Sequence, residues 1–197
     1  MSKTIDYFAS LQSPWTYLGH QRLVEIAARH GATIRIAPVN FGVIFPKTGG
    51  LPLPKRAPER QTYRMMELRR WRSFLDVPLN FTPAHFPTDE TLAAGMVAAA
   101  RDAGQDAVGL AGAVLRGVWA EEKDIADRDT LLAIADGLGL DGSALVSAAE
   151  TDAGATWQRD TEAALERGVF GAPTYIYRDE LFWGQDRIDF LDRAVGG

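Results

Sequence analysis

The 197-residue chain contains no cysteine. That absence excludes disulfides, a thiolate nucleophile of the chain's own and any cysteine-ligated metal, so sulfur chemistry would need a borrowed sulfur. Basic residues are also in short supply, 21 Lys and Arg against 26 Asp and Glu, a net charge of -5. This balance disfavours nucleic acid or an anionic membrane as the main partner and points to small substrates. No run of 18 or more apolar residues occurs, and Met1-Ser2-Lys3-Thr4 leads straight into a strand pattern, so the expected location is cytoplasmic. His20, His30 and His85 are scattered without ligand spacing, and no metal is expected. What remains, 46% hydrophobic and 24% charged residues, suits a globular chain able to bury a sizeable core.

Ile5 to Ala9 is short, aromatic and β-prone, and a polar break leads to Ser13-Pro14, a favoured N-cap followed by proline at the first helical position. Leu18, Leu23, Val24, Ile26 and Ala27 then give one apolar face, and Gly31 ends the helix. Thr33 to Val39 alternates as a second strand, completing a βαβ unit. Residues 42 to 58 hold Gly42, Pro46, Gly49, Gly50, Pro52, Pro54 and Pro58, which predict a long loop; with Lys47, Lys55 and Arg56 it reads as an anion-facing lid. From about Pro58 to Glu150 the pattern is helical throughout, and another helix is expected over roughly 153 to 167. Pro173 to Tyr177 and Leu181 to Trp183 form a hairpin across an Arg178-Asp179-Glu180 turn, and a closing helix begins near Gly184-Gln185-Asp186. The order is α/β: a thioredoxin-like core (βαβ, then αββα) over 1–45 and 152–197, with a large insertion over 46–151 made of the loop and an all-helical domain.

Two local patterns carry chemistry. Ser13-Pro14-Trp15-Thr16 opens the first helix where thioredoxins place Cys-x-x-Cys, so hydroxyls stand in for thiols and disulfide exchange is excluded. Pro173 opens the third strand, where a cis peptide leaves the preceding backbone free to pair with a bound peptide. Ser13 as a plain N-cap, Pro173 as an edge-strand opener and Asp186 as a helix cap are the simpler readings of the same residues.

Taken with Val169-Phe170-Gly171-Ala172-Pro173-Thr174, Leu181-Phe182-Trp183-Gly184-Gln185-Asp186-Arg187, Val118-Trp119 and Asp124-Ile125, these residues resemble the 2-hydroxychromene-2-carboxylate isomerase family, kin of kappa-class glutathione transferases and DsbA-like proteins. The resemblance spans nearly the whole chain. It implies glutathione as cofactor, with Ser13 at its sulfur, Ala172 and Pro173 at its cysteinyl unit, and Gln185 and Asp186 at its γ-glutamyl end. It also implies a small aromatic acid as substrate and a homodimer. Trp15, Lys47 and Lys55, with Arg56 and Arg60, are the candidates on the substrate side. Relatives carry Asn in a GN-x-PP stretch, where this chain has Thr48-Gly49-Gly50-Leu51-Pro52. A glutathione transferase or peroxidase of the same architecture, or a non-catalytic binding protein, are the competing expectations.

Overall fold

β1 (Lys3–Ala9) alternates its side chains across the sheet. Ile5, Tyr7 and Ala9 enter one apolar cluster, whereas Phe8 enters another with Ala37, Val39, Phe41, Ile44, Ala164, Val169 and Ile176. In this computed structural model, which describes residues 3–152 and 154–197, β1 is central in a four-stranded sheet of order β2-β1-β3-β4. α1 (Pro14–His30) leads from β1 to the parallel strand β2 (Ala32–Pro38), Tyr7 lying opposite Ile36. β3 (Thr174–Tyr177) runs antiparallel to β1, and β4 (Glu180–Trp183) antiparallel to β3. Their turn is shorter than the sequence suggests: Arg178 and Asp179 take φ of 49° and 64°, and Glu180 already pairs with Tyr177. Positive φ at both central residues matches the right-handed twist of the strands.

The expected loop over 42–58 is largely helical instead. α2 (Phe41–Thr48) is capped by the Asn40 side chain, which accepts from the Gly42 N–H at 2.8 Å, and it buries Phe41 and Ile44. Pro46 lies inside it and Gly49, in the left-handed region, ends it. A 3-10 turn (Leu53–Lys55) follows, and Pro58 opens α3 (Pro58–Leu75). The prolines and glycines thus punctuate short helices rather than dissolve them.

The helical reading of 58–150 also needs correction in its middle. Asp76 enters the left-handed region at φ 50°, and Val77 to Glu90, with Pro78, Pro83 and Pro87, forms no helix. Beyond it run α4 (Thr91–Asp102), α5 (Ala107–Ala120), α6 (Arg128–Gly137), α7 (Gly142–Asp152) and α8 (Ala155–Glu166). The expected start of the last helix at 153 lies outside the described residues. A second 3-10 turn (Gln185–Arg187) leads into α9 (Ile188–Gly196). α4 buries Ala93, Ala94, Met96, Val97, Ala98 and Ala100, touching α7, α5, α8 and β2, so the inserted helices and the sheet share one cluster. No described helix is long and apolar enough to cross a membrane.

Candidate active site

Between β1 and α1 the chain must turn through Ser10, Leu11 and Gln12 with its polar groups covered. Glu90, only 7% exposed, meets that need. Its carboxylate accepts from Ser10 Oγ (2.9 and 3.0 Å), from the Leu11 N–H, from the Gln12 N–H (3.2 Å) and from Gln12 Nε2 (3.3 Å). Burial pushes the Glu90 carboxyl above its usual pKa, against the pull of those hydrogen bonds. Gln12 Oε1 in turn accepts from the Thr88 N–H at 3.3 Å. Sequence reasoning missed Glu90, because it fell within a stretch read as continuous helix and its partners lie about eighty positions away.

Ser13 caps α1: its Oγ accepts from the Thr16 N–H at 3.3 Å. That bond uses an oxygen lone pair and leaves the hydroxyl hydrogen free to donate elsewhere. Among the first-turn amides, Pro14 has no N–H and the Tyr17 N–H bonds the Ser13 carbonyl at 3.0 Å. The Trp15 N–H has no partner among the described residues. Thr16, in the second thiol position, is fully buried and its hydroxyl is unpartnered. An anion placed before α1 would therefore meet the Ser13 O–H, the Trp15 N–H and the helix dipole.

The pairing of Phe8 with Thr174 brings the start of β3 beside the end of β1, so Ala172-Pro173 and Ser10–Ser13 emerge at the same edge of the sheet. The Ala172-Pro173 peptide is cis, as the sequence predicts. Neither the N–H nor the C=O of Ala172 has a partner among the described residues. Gln185 is 2% exposed, and its backbone and side-chain oxygens both accept from Arg22 Nη1, at 2.9 and 3.0 Å. Its side-chain amide nitrogen has no partner among the described residues. Asp186 is exposed and pairs with Arg187 at 2.7 Å. Gly19 makes this approach possible, since a Cβ there would lie 2.6 Å from the Tyr175 hydroxyl and 2.9 Å from Gln185 Cβ.

The cations divide by environment. Lys47, at the end of α2, and Lys55, in the first 3-10 turn, are exposed and form no ion pair among the described residues. Arg60 is exposed too, while Arg56 is partly buried and gives its Nε to the Leu51 carbonyl at 2.8 Å. No hydrogen bond among the described residues joins Lys47 or Lys55 to Ser13, Ala172 or Gln185. Trp15 is partly buried against the main core. A side chain at Gly50 would run into the Phe45 ring.

Behind α1, Tyr7 stacks on Tyr175 with ring centroids 5.4 Å apart, and its hydroxyl meets His20 Nδ1 at 3.3 Å. Burial lowers the His20 pKa to about 4, so the imidazole is neutral at pH 7. Burial likewise raises both tyrosines, and the Tyr175 hydroxyl is left without a partner.

The family model for a DSBA-like thioredoxin domain matches residues 4–196. The chain is 32% identical over 194 residues to a 2-hydroxychromene-2-carboxylate isomerase of Sphingobium xenophagum, covering 98% of this chain and 97% of that protein. Against human glutathione S-transferase kappa 1 the identity is 24%, over 100% and 92% of the two chains. The solved structure of a 2-hydroxychromene-2-carboxylate isomerase superposes with a TM-score of 0.85 at 28% identity, over 98% and 94% of the chains. With a cysteine-free helix start, an unpaired Ala172 backbone and this likeness along its whole length, the chain belongs to the DSBA-like thioredoxin domain family, beside its 2-hydroxychromene-2-carboxylate isomerases.

Proposed function

We propose that the chain is a glutathione-dependent isomerase acting on 2-hydroxychromene-2-carboxylate-type aromatic pyruvates. The observation that carries the reading is the unspent hydroxyl hydrogen of Ser13 at the start of α1, in a chain with no thiol of its own. Full-length likeness to named isomerases supports the reaction, and kinship with a kappa-class transferase supports the cofactor.

Ser13, Ala172, Gln185 and Asp186 would hold glutathione, which would supply a nucleophilic thiolate for reversible addition to a conjugated double bond, leaving a single bond free to rotate. The protein's part is to hold and ionise that sulfur. A free thiol has a pKa of about 8.5, so only a few per cent is ionised at neutral pH. A helix N-terminus favours a nearby anion by about 0.3–2 kcal/mol, and a hydrogen bond to a charged acceptor adds about 1.5–3. Ser13 Oγ–H and the Trp15 N–H together thus suffice for a drop of one to two pKa units. Ser13 is a donor to the anion, not a nucleophile. The free N–H and C=O of Ala172, with Pro173 beside them, take up a peptide unit as an added strand. Asp186 provides the charge an ammonium requires, and Gln185 Nε2 a neutral donor. Trp15 forms a wall on the substrate side, and exposed Lys47 and Lys55 draw anionic substrate in. The working form is a cytoplasmic homodimer; Tyr63, Met66 and Phe74, exposed along α3, offer apolar area for a second copy.

Calorimetry with glutathione is the first test, and no binding at millimolar concentration sinks the reading. The Ser13→Ala variant should lose most glutathione-dependent isomerisation, and the thiolate absorbance of bound glutathione should titrate about one to two units higher. Full activity in that variant would remove Ser13 from the mechanism. Glutathione should be recovered intact after turnover; its consumption would favour a transferase.

A further inference from the structure

Arg64 lies on the second turn of α3 with its guanidinium 5.7 Å from the centroid of the Phe86 ring. It is partly buried, and among the described residues no carboxylate pairs with it. Its one polar contact is a weak one, Nη1 to the thioether sulfur of neighbouring Met65 at 3.7 Å. A second cation aggravates its situation, because burial and the nearby charge of Arg56 pull the Arg64 pKa down to about 10. Arg56 is itself lowered by burial and by Arg60, so three guanidiniums gather about the first turns of α3, and Glu59, the acid of that stretch, forms an ion pair with none of them among the described residues. Partly desolvated charges are normally paired, and an unpaired one persists where a ligand repays the cost.

The position of this cluster links it to the candidate site. Phe86, under the guanidinium, is two residues before Thr88, whose N–H bonds the Gln12 side chain next to Ser13. Phe86 also packs on Trp119 at 4.9 Å, which gives the spot an aromatic floor. A planar guanidinium above a ring suits a carboxylate attached to a conjugated, flat skeleton, which it can grip through two parallel hydrogen bonds. The exposed Lys47, Lys55 and Arg60 keep their hydration and gain little from such a contact.

We propose that Arg64, supported by Arg56, is the subsite that binds the carboxylate of the aromatic acid. This rests on the isomerase reading and names a residue outside the Lys47 and Lys55 pair. The test compares the wild-type protein with Arg64→Met and Arg64→Lys, each checked for unchanged circular dichroism. Arg64→Met should raise KM for 2-hydroxychromene-2-carboxylate about 10- to 100-fold with kcat little changed, and Arg64→Lys should recover part of the loss. Glutathione affinity should stay within about twofold of wild type. An unchanged KM overturns the proposal. So does a loss of glutathione affinity, which would make the tripeptide's own glycyl carboxylate the ligand.

If the wild-type protein fails to turn over the chromene carboxylate, the isomerase reading falls, yet the subsite is still decided by calorimetry with cinnamate and methyl cinnamate. Wild type should favour the acid over the ester by about tenfold or more, and Arg64→Met should bind both alike. Equal binding of acid and ester to wild type overturns the subsite.

Discussion

Glu90 buries one carboxylate to satisfy a whole turn of backbone. In Glu90→Ala the Ser10 hydroxyl and the Leu11 and Gln12 amides lose their acceptor, at about 1–3 kcal/mol for each buried donor left unpaired, so a total loss of at least about 3 kcal/mol is expected in urea unfolding. A loss below about 0.5 kcal/mol would show that water serves these groups equally well. His20 makes a different prediction. It takes up a proton near pH 6.5 in the unfolded chain but only near pH 4 when buried. Its contribution is therefore complete above about pH 6.5, shrinks as the pH falls and levels off below about 4. Between pH 7 and pH 5 the protein should lose about 2 kcal/mol of stability, and His20→Leu should remove that slope. A variant with an unchanged slope would move the effect to other groups. Ser13, Ala172-Pro173 and Asp186 could be named as candidates from the sequence because each sits in a short local pattern. Glu90 could not, since its role arises from burial and from partners remote in the chain, and the setting of Arg64 arises from its partial burial beside Phe86.

Elements were legible where periodicity ran unbroken and illegible where proline and glycine were counted as loop. α2 shows why: Asn40 caps it and Phe41 and Ile44 anchor it, so tertiary burial sustains a helix of eight residues despite Pro46. The gap between α3 and α4 is the converse, a polar and aromatic stretch whose helix-like pattern yields to Asp76 and three prolines. At α1 the close approach of the 3-10 turn carrying Gln185 depends on Gly19. Gly19→Ala should cost about 1–3 kcal/mol and weaken glutathione binding, because the methyl group would press on the Tyr175 hydroxyl and on Gln185. Calorimetry and urea unfolding on the same variant would check both effects; unchanged glutathione affinity would detach this turn from the ligand.

For the molecule as a whole, the order of strands and helices conveyed the thioredoxin-like core, while the way the inserted helices meet it did not. α4 is buried nearly all round and has five alanines among its twelve residues, so no single apolar stripe announced that it touches β2 as well as α7. With a shared cluster running from Tyr7 to Met96 and Trp119, tryptophan fluorescence and far-ultraviolet circular dichroism should report one unfolding transition. Met96→Ala should lower it by about 2–4 kcal/mol for both signals together. Two separated transitions would mean that the insertion folds as its own unit. The tether from Glu90 to the Ser10–Gln12 turn also has a consequence during synthesis. Residues that form the turn leave the ribosome early, yet the side chain that sets it follows 80 positions later. A nascent or truncated chain ending before Glu90 should therefore present Ser13 on an unset turn, and capacity to hold an anion there should appear only once the insertion has docked.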